Sequence, residues 1–292
     1  MPMVIQSLHV YPVKGLGGFS PGAWEVTPTG LRFDRHWMLV DESTGAFVSQ
    51  RQVTAMAQIT ATLSENLAEL RLDASDWRWS CAVDAQGEIR KTSIWGDVVH
   101  AVDLGDEIAK RLSTRLARKV RLVRFGGDQH RPVDSFWTGD EHSHTHFADF
   151  GPMLVTTQAS LDDLNQRRVE RGLAVVEMNR FRANIVLGGI ASDEAWHEDQ
   201  WGSLTIDNAL VVDLIKPCAR CKVIEVDQTT GESTGDGVLE SLAAFRRLKN
   251  RSGKLGVMFG QDAVARFPIL PDAKTGWPRV EVGSTVVVTA GE

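Results

Sequence analysis

Short apolar runs follow one another through the first hundred residues with no helix-length pattern between them, and this spacing constrains the fold more than any other feature of the chain. The runs cover residues 5–10, 24–26, 37–40, 59–63, 68–72 and 98–102, and turn pairs such as Thr29-Gly30 and Thr44-Gly45 separate several of them. Strands this short and frequent, without crossover helices, must bury one face each in a small barrel or sandwich. Asp106 then opens a helical segment in which Ile108, Leu112 and Leu116 recur at four-residue intervals and form one apolar stripe. The domain boundary is placed there, giving a β-barrel-like N-terminal domain over 1–119 and a second domain over 120–292.

The second part reads as mainly β with a few helices, so the whole chain falls in the α+β class. Residues 125–150 are polar, rich in Gly, His and Asp, and long for a connection, which marks a functional or mobile loop and a candidate lid. Ser160 is expected to cap a helix that ends near Gly172. Strands are expected at 185–187, 204–206, 210–215, 223–226 and 285–289, with Asp207-Asn208 at a tight hairpin turn and a helix over 239–249. There is no internal repeat.

A length of 292 residues allows two medium domains. The net charge of −6 argues against nonspecific nucleic-acid binding, and the basic run from Arg115 to Arg124 reads as a solvated junction or a docking patch for an acidic partner. No apolar run approaches the roughly 20 residues of a membrane span, and the first residues lack a signal-peptide pattern, so a cytoplasmic location is expected. Three cysteines, Cys81, Cys218 and Cys221, are too few for a disulfide framework.

Cys218-Ala219-Arg220-Cys221 has the spacing shared by zinc ligands and thiol redox pairs. Structural zinc needs four ligands, and only Cys81 remains besides histidines. A redox pair wants a helix N-terminus, whereas the alternation in 222–226 places this pair at a strand-to-strand turn. Packing as two small apolar residues is the third reading. Pro217 stiffens the entry, and the charge of Arg220 beside Cys221 favours the thiolate that a soft metal needs. A separate histidine site is conceivable at His142-Ser143-His144-Thr145-His146, where alternate side chains of an extended segment share a face.

Lys216-Pro217-Cys218-Ala219-Arg220-Cys221, followed by Asp227-Gln228-Thr229-Thr230-Gly231, resembles the MOSC family of molybdenum-cofactor proteins. Tyr11-Pro12-Val13-Lys14 and Asp34-Arg35-His36-Trp37 resemble the β-rich domain that precedes MOSC in the mitochondrial amidoxime-reducing component and its bacterial relatives. The segments 179–185 and 201–206 and the pair Phe259-Gly260 match later parts in the same order. The resemblance implies a C-terminal MOSC β-barrel, molybdenum held by a pterin dithiolene and the Cys221 thiolate, and cofactor contacts from Lys14, Gly15, Arg35, Arg182, Asn184, Ala219 and Arg220. Arg and Lys suit the cofactor phosphate, and an Asn amide suits a pterin edge.

The implied reaction is reduction of hydroxylamines, amidoximes or N-hydroxylated nucleobases to the amine and water, with Asp149 as a catalytic residue of the pocket. Gly15 stands where mammalian relatives carry a phosphate-binding Ser, and Ala219 also replaces a Ser, while Phe150 and Gly151 replace hydroxyl residues. Nothing in the sequence could ligate an internal iron-sulfur cluster, so electrons are expected from a separate ferredoxin, flavoprotein or b-type cytochrome. Two other readings are a cofactor or sulfur carrier without turnover, and a pyridoxal-phosphate protein with an imine at Lys14.

Overall fold

The computed structural model describes residues 2–126, 129–140, 143–267 and 276–291. The first part supplies β1 (Val4–Leu8), β2 (Val13–Lys14), β3 (Ala23–Thr27), β4 (Gly30–Leu31), β5 (Trp37–Asp41), β6 (Thr60–Leu63), β7 (Glu69–Ala74), β8 (Trp77–Ala82), β9 (Ile89–Ile94), β10 (Asp97–Asp103), α1 (Asp106–Leu116) and β11 (Val120–Arg124). Then follow β12 (Arg131–Pro132), α2 (Ser135–Thr138), β13 (His144–Thr145), β14 (Met153–Thr157), α3 (Gln158–Glu170) and β15 (Ile185–Gly188). The chain ends with β16 (Trp201–Ile206), β17 (Leu210–Ala219), α4 (Val238–Ala243), β18 (Arg247–Lys249), β19 (Leu255–Arg266), β20 (Arg279–Glu281) and β21 (Val286–Ala290). The mainly β, two-domain architecture is as the sequence implies.

The larger sheet runs β1-β15-β14-β19-β17-β16-β21, with β18 beside β19. A bridge between Val4 and Thr285, and a bond from the Val286 amide to Met3 O at 3.0 Å, nearly close it into a barrel. Full or near-full closure hides strand edges that would otherwise pair with other chains. Alternating residues fill the barrel, among them Ile5, Leu8, Val155, Ile185, Leu204, Val212 and Ala263, all fully buried. The β16–β17 hairpin turns at Asp207 and Asn208, both in the left-handed region with φ of 49° and 55°, which favours short polar side chains at a two-residue turn.

The smaller domain has a sheet in the order β2-β5-β11-β10-β9 and a separate β6-β7-β8 meander. Ile108, Leu112 and Leu116 of α1 pack between them against Leu39, Leu70, Leu72 and Leu122, as the four-residue stripe requires. Sequence order and spatial order diverge at both ends of this domain. β1 belongs to the larger barrel, and β11, after residue 119, pairs with β5 and β10. The two bodies are therefore joined by exchanged strands, and the cleft between them is fixed by paired backbone.

Four local expectations are corrected. Residues 222–226 form a 3-10 turn, Lys222–Glu225, rather than a strand, because β17 ends at Ala219 and Ile224 turns inward to a buried cluster. α3 is capped by Thr157, whose hydroxyl accepts from the Ser160 amide, so Ser160 lies inside the helix. The helix expected over 239–249 stops at Ala243. Arg246 is drawn inward by Asp199 at 2.6 Å, and Arg247–Lys249 pairs with β19 instead. The described part of 125–150 is anchored: Val133 and Trp137 pack on Ile215 and Val264, and Arg131 donates to Asp97 and to Ala148 O.

Candidate active site

A cavity of about 400 Å³ opens between the two bodies. The end of β2, the turn ahead of β5, residues 148–154, the turn before β15, and the end of β17 converge on it. Lys14, Gly15, Arg35, Asp149, Arg182, Asn184, Ala219, Arg220 and Cys221 all line it, so the structure gathers every site residue named from the sequence. The lining holds seven basic side chains, Lys14, Arg35, Arg51, Arg182, Lys216, Arg220 and Lys254, against two carboxylates, Asp149 and Asp262. In a chain of net charge −6 such a concentration selects an anionic guest.

Arg35 and Arg182 form one wall. Both hold left-handed backbone, with φ of 46° and 54°, a conformation side chains other than glycine rarely adopt and one that clusters at functional sites. Their guanidinium carbons lie 4.6 and 4.2 Å from the ring centre of Tyr11, which both contact. Arg35 pairs with buried Asp34 and donates to Asn184 Oδ1 at 3.0 Å and to Arg182 O at 2.9 Å. Arg182 donates only weakly, to Gln228 Oε1 at 3.3 Å, and its Nη2 is buried with no partner among the described residues. Burial, then the neighbouring Arg35, lowers Arg182 to about 10, which still leaves it charged at neutral pH.

Asn184 lines the cavity and is also tied into the fold. Its Oδ1 accepts from Arg35 and from the Leu154 amide at 3.0 Å, and its Nδ2 donates to His9 O at 3.1 Å. It clips Arg35 to the barrel.

Lys14 is 8% exposed, donates to Phe147 O at 2.8 Å and forms an ion pair with Asp149. Asp149 also accepts from Trp95 Nε1 at 2.9 Å. Desolvation by the surrounding cavity walls works against the ionised Asp149, although 66% of its side chain is exposed, but the Lys14 charge and the two hydrogen bonds overcome it and hold the carboxyl well below the usual range. Burial likewise lowers Lys14, with Asp149 opposing. Gly15 sits at φ 82°, where a Cβ would come within 2.7 Å of the Met56 methyl, so a serine here would be strained. Gln50 donates to Gly15 O at 2.8 Å and bonds Gln228, tying this turn to Arg182. Gln228 belongs to the segment 227–231 that carries the family resemblance, whereas Gln50 had no signal in the sequence.

The cysteines divide. Cys218, half-buried and also in the cavity lining, packs against Leu154, Ala183 and Val186, and desolvation, helped by Asp262, pushes its thiol to about 12. Arg220 donates to Cys218 Sγ at 3.1 Å and to Phe181 O at 2.8 Å. Cys221 is half-buried in the cavity wall, precedes the 3-10 turn and is unbridged, as all three cysteines are.

The histidine cluster behaves otherwise than the alternation implied. His142 lies outside the described residues. His144 stacks near His130 with ring centres 4.7 Å apart, whereas His146 Nδ1 meets His36 Nδ1 at 3.2 Å. Burial, then His144, lowers His146 to about 4, so it stays neutral. Among the described residues no group of three or more His, Cys, Asp or Glu is arranged to hold a metal ion.

Comparison with known proteins fixes the family. The MOSC N-terminal beta barrel domain matches residues 2–119, and the MOSC domain matches residues 142–289. The chain belongs to the MOSC family. Mitochondrial amidoxime reducing component 2 of Bos taurus is 29% identical over 250 residues, covering 83% of this chain and 72% of that protein. Mitochondrial amidoxime-reducing component 1 of Mus musculus is 30% identical over 254 residues, covering 83% and 71%. Molybdenum cofactor sulfurase of Danio rerio is 31% identical over 278 residues, covering 88% of this MOSC protein but 31% of the sulfurase. No helix among the described residues is long and apolar enough to cross a membrane.

The cavity fits the cofactor these names imply. It combines a cationic lining, a buried guanidinium nitrogen that lacks an acceptor, and an unbridged thiol.

Proposed function

We propose that this MOSC protein binds molybdenum cofactor in the cavity and reduces N-hydroxylated compounds to the parent amines, with electrons from a separate carrier protein in the reducing environment of the cytoplasm. The observation that carries the reading is the unpartnered Nη2 of Arg182 in a wall of positive charge that also bears the Cys221 thiol. When bound, the cofactor supplies the two-electron reduction that breaks the N–O bond.

The chain's own residues do the rest. Arg182, Arg35 and Lys14 hold the anionic end of the cofactor through charge-assisted hydrogen bonds, with the backbone N–H of Gly15 beside them. Asn184 and Asp34 fix the plane of Arg35, and Gln228 steadies Arg182. Cys221 supplies the protein thiolate to the metal, and the small side chain of Ala219 leaves room beside it. Arg220 braces the turn through Cys218 and Phe181 O. Asp149 keeps Lys14 charged and oriented. That same pairing disfavours imine formation with pyridoxal phosphate, which needs a neutral lysine amine.

The test is turnover. Cofactor-loaded protein with an artificial reductant is expected to convert a hydroxylamine or amidoxime to its amine, one product per two electrons consumed. Loaded protein that reduces no N-hydroxy compound, yet releases its cofactor readily to an acceptor protein, contradicts this reading and leaves the carrier role.

A further inference from the structure

The two carboxylates of the cavity are held in opposite ways. Asp149 exposes 66% of its side chain and accepts from both Lys14 and Trp95, so it is an acceptor with no proton to give. Asp262 lies inside β19, is 7% exposed, and sits between β14 and β17, in register with Leu154 and Lys216. Its nearest cation is Lys216, with Nζ at 3.5 Å, and that ammonium lies 3.3 Å from the centre of the Phe150 ring. Gly151 borders it closely: a Cβ there would stand 3.1 Å from Asp262 Cβ, a tight contact that glycine avoids. Lys216 and Cys218 face it from β17, Arg220 from beyond the strand end, and Asp149 from across the lining. Burial pushes Asp262 up to about 6, with Lys216 and Arg220 opposing and Asp149 adding to the rise. Cys218 stays a thiol. Paired acids whose surroundings drive them apart in this way divide into a proton donor and a fixed charge.

We propose that Asp262 is the general acid of the cavity, giving a proton to the oxygen that leaves the N-hydroxylated substrate, and that Lys216 is the positioning residue that holds its carboxyl. The inference rests on the oxygen-removal reading above. The N–OH group takes up two electrons from the separate carrier protein and two protons, the N–O bond breaks, and N–H and water form. Asp262 supplies the proton to the departing oxygen and is recharged from solvent, and the proton on nitrogen comes from solvent.

Two variants, Asp262→Asn and Lys216→Gln, test it in the cofactor-loaded protein with two readouts. Infrared titration of the wild type is expected to lose a protonated-carboxyl band with a midpoint near 6 that is absent in Asp262→Asn and moves to higher pH in Lys216→Gln. In turnover, wild-type kcat is expected to fall as pH rises through this midpoint. Asp262→Asn should lower kcat by about 100-fold, the low end for general acids, at unchanged molybdenum content and KM. In Lys216→Gln the alkaline fall of kcat should shift with the band. An Asp262→Asn enzyme that keeps its kcat and its pH profile overturns the proposal, as does a Lys216→Gln enzyme whose band moves while its kcat profile stays in place. A wild type that turns over no N-hydroxy compound while the band still titrates is a different failure, that of the reaction itself, and takes the proton role with it.

Discussion

Arg182 in the cavity wall and Glu198 beneath α3 are both buried, and each has one polar atom without a partner among the described residues. Their relief differs. Glu198 accepts from the Ser160 hydroxyl at 2.9 Å through Oε2 while Oε1 stands alone, and burial raises its carboxyl to about 7. It escapes the cost of a buried charge by taking up a proton. Arg182 has no such exit, because a guanidinium lowered only to about 10 remains a cation at any physiological pH. No described residue supplies its missing acceptor. One orphan is thus relieved within the fold, and the other stays a charged donor open to an anionic ligand.

The sharpest way to break this contrast is Arg182→Met, which keeps much of the apolar stem. Retention of the proposed cofactor should weaken by about 100-fold, in line with loss of hydrogen bonds to a charged group, while the thermal stability of cofactor-free protein changes by no more than about 1 kcal/mol. Dialysis with pterin quantification and parallel melting curves measure both. Cofactor-free protein that loses several kcal/mol, with retention intact, would make Arg182 a structural cation. Glu198→Gln probes the other side with a smaller effect. Between the unfolded glutamate value of about 4.3 and the folded value of about 7, the folded state holds a proton that the unfolded chain has lost. Stability therefore falls as pH rises through that window. Glutamine mimics the protonated form, so the variant should lose this slope and be more stable than wild type at pH 8, by a few kcal/mol at most. Parallel slopes for the two proteins would show that Glu198 is already ionised when folded.

Which parts were legible in the sequence follows from how local their causes are. α1 announced itself through Ile108, Leu112 and Leu116, and the β16–β17 hairpin through Asp207-Asn208, because a stripe and a turn are properties of adjacent residues. β19 did not. Its run Met258-Phe259-Gly260-Gln261-Asp262 mixes glycine and polar side chains that only the cavity and its neighbours explain, so Asp262 was missed along with the strand. The run 222–226 misled because five residues with apolar Val223, Ile224 and Val226 are too few to separate a strand's period of two from the three-residue period of a 3-10 turn, which places Lys222 and Glu225 on one side. Motif resemblance singled out residues that the fold brings to one cavity but could not assign their contacts. Lys14 with Asp149, and Asn184 with His9, lie 135 and 175 positions apart, and such pairings become visible only once β1 has crossed into the barrel.

The central claim is that, of the two thiols that line the cavity, Cys221 holds the metal while Cys218 packs against Leu154, Ala183 and Val186. It is tested most directly by the molybdenum and pterin content of wild type, Cys218→Ala and Cys221→Ala, each purified from a host that makes molybdopterin. Wild type and Cys218→Ala should carry comparable metal, with Cys218→Ala showing at most a loss of stability from its vacated packing site, and Cys221→Ala should lose most of its molybdenum. A Cys221→Ala protein with a full complement of molybdenum would contradict the account.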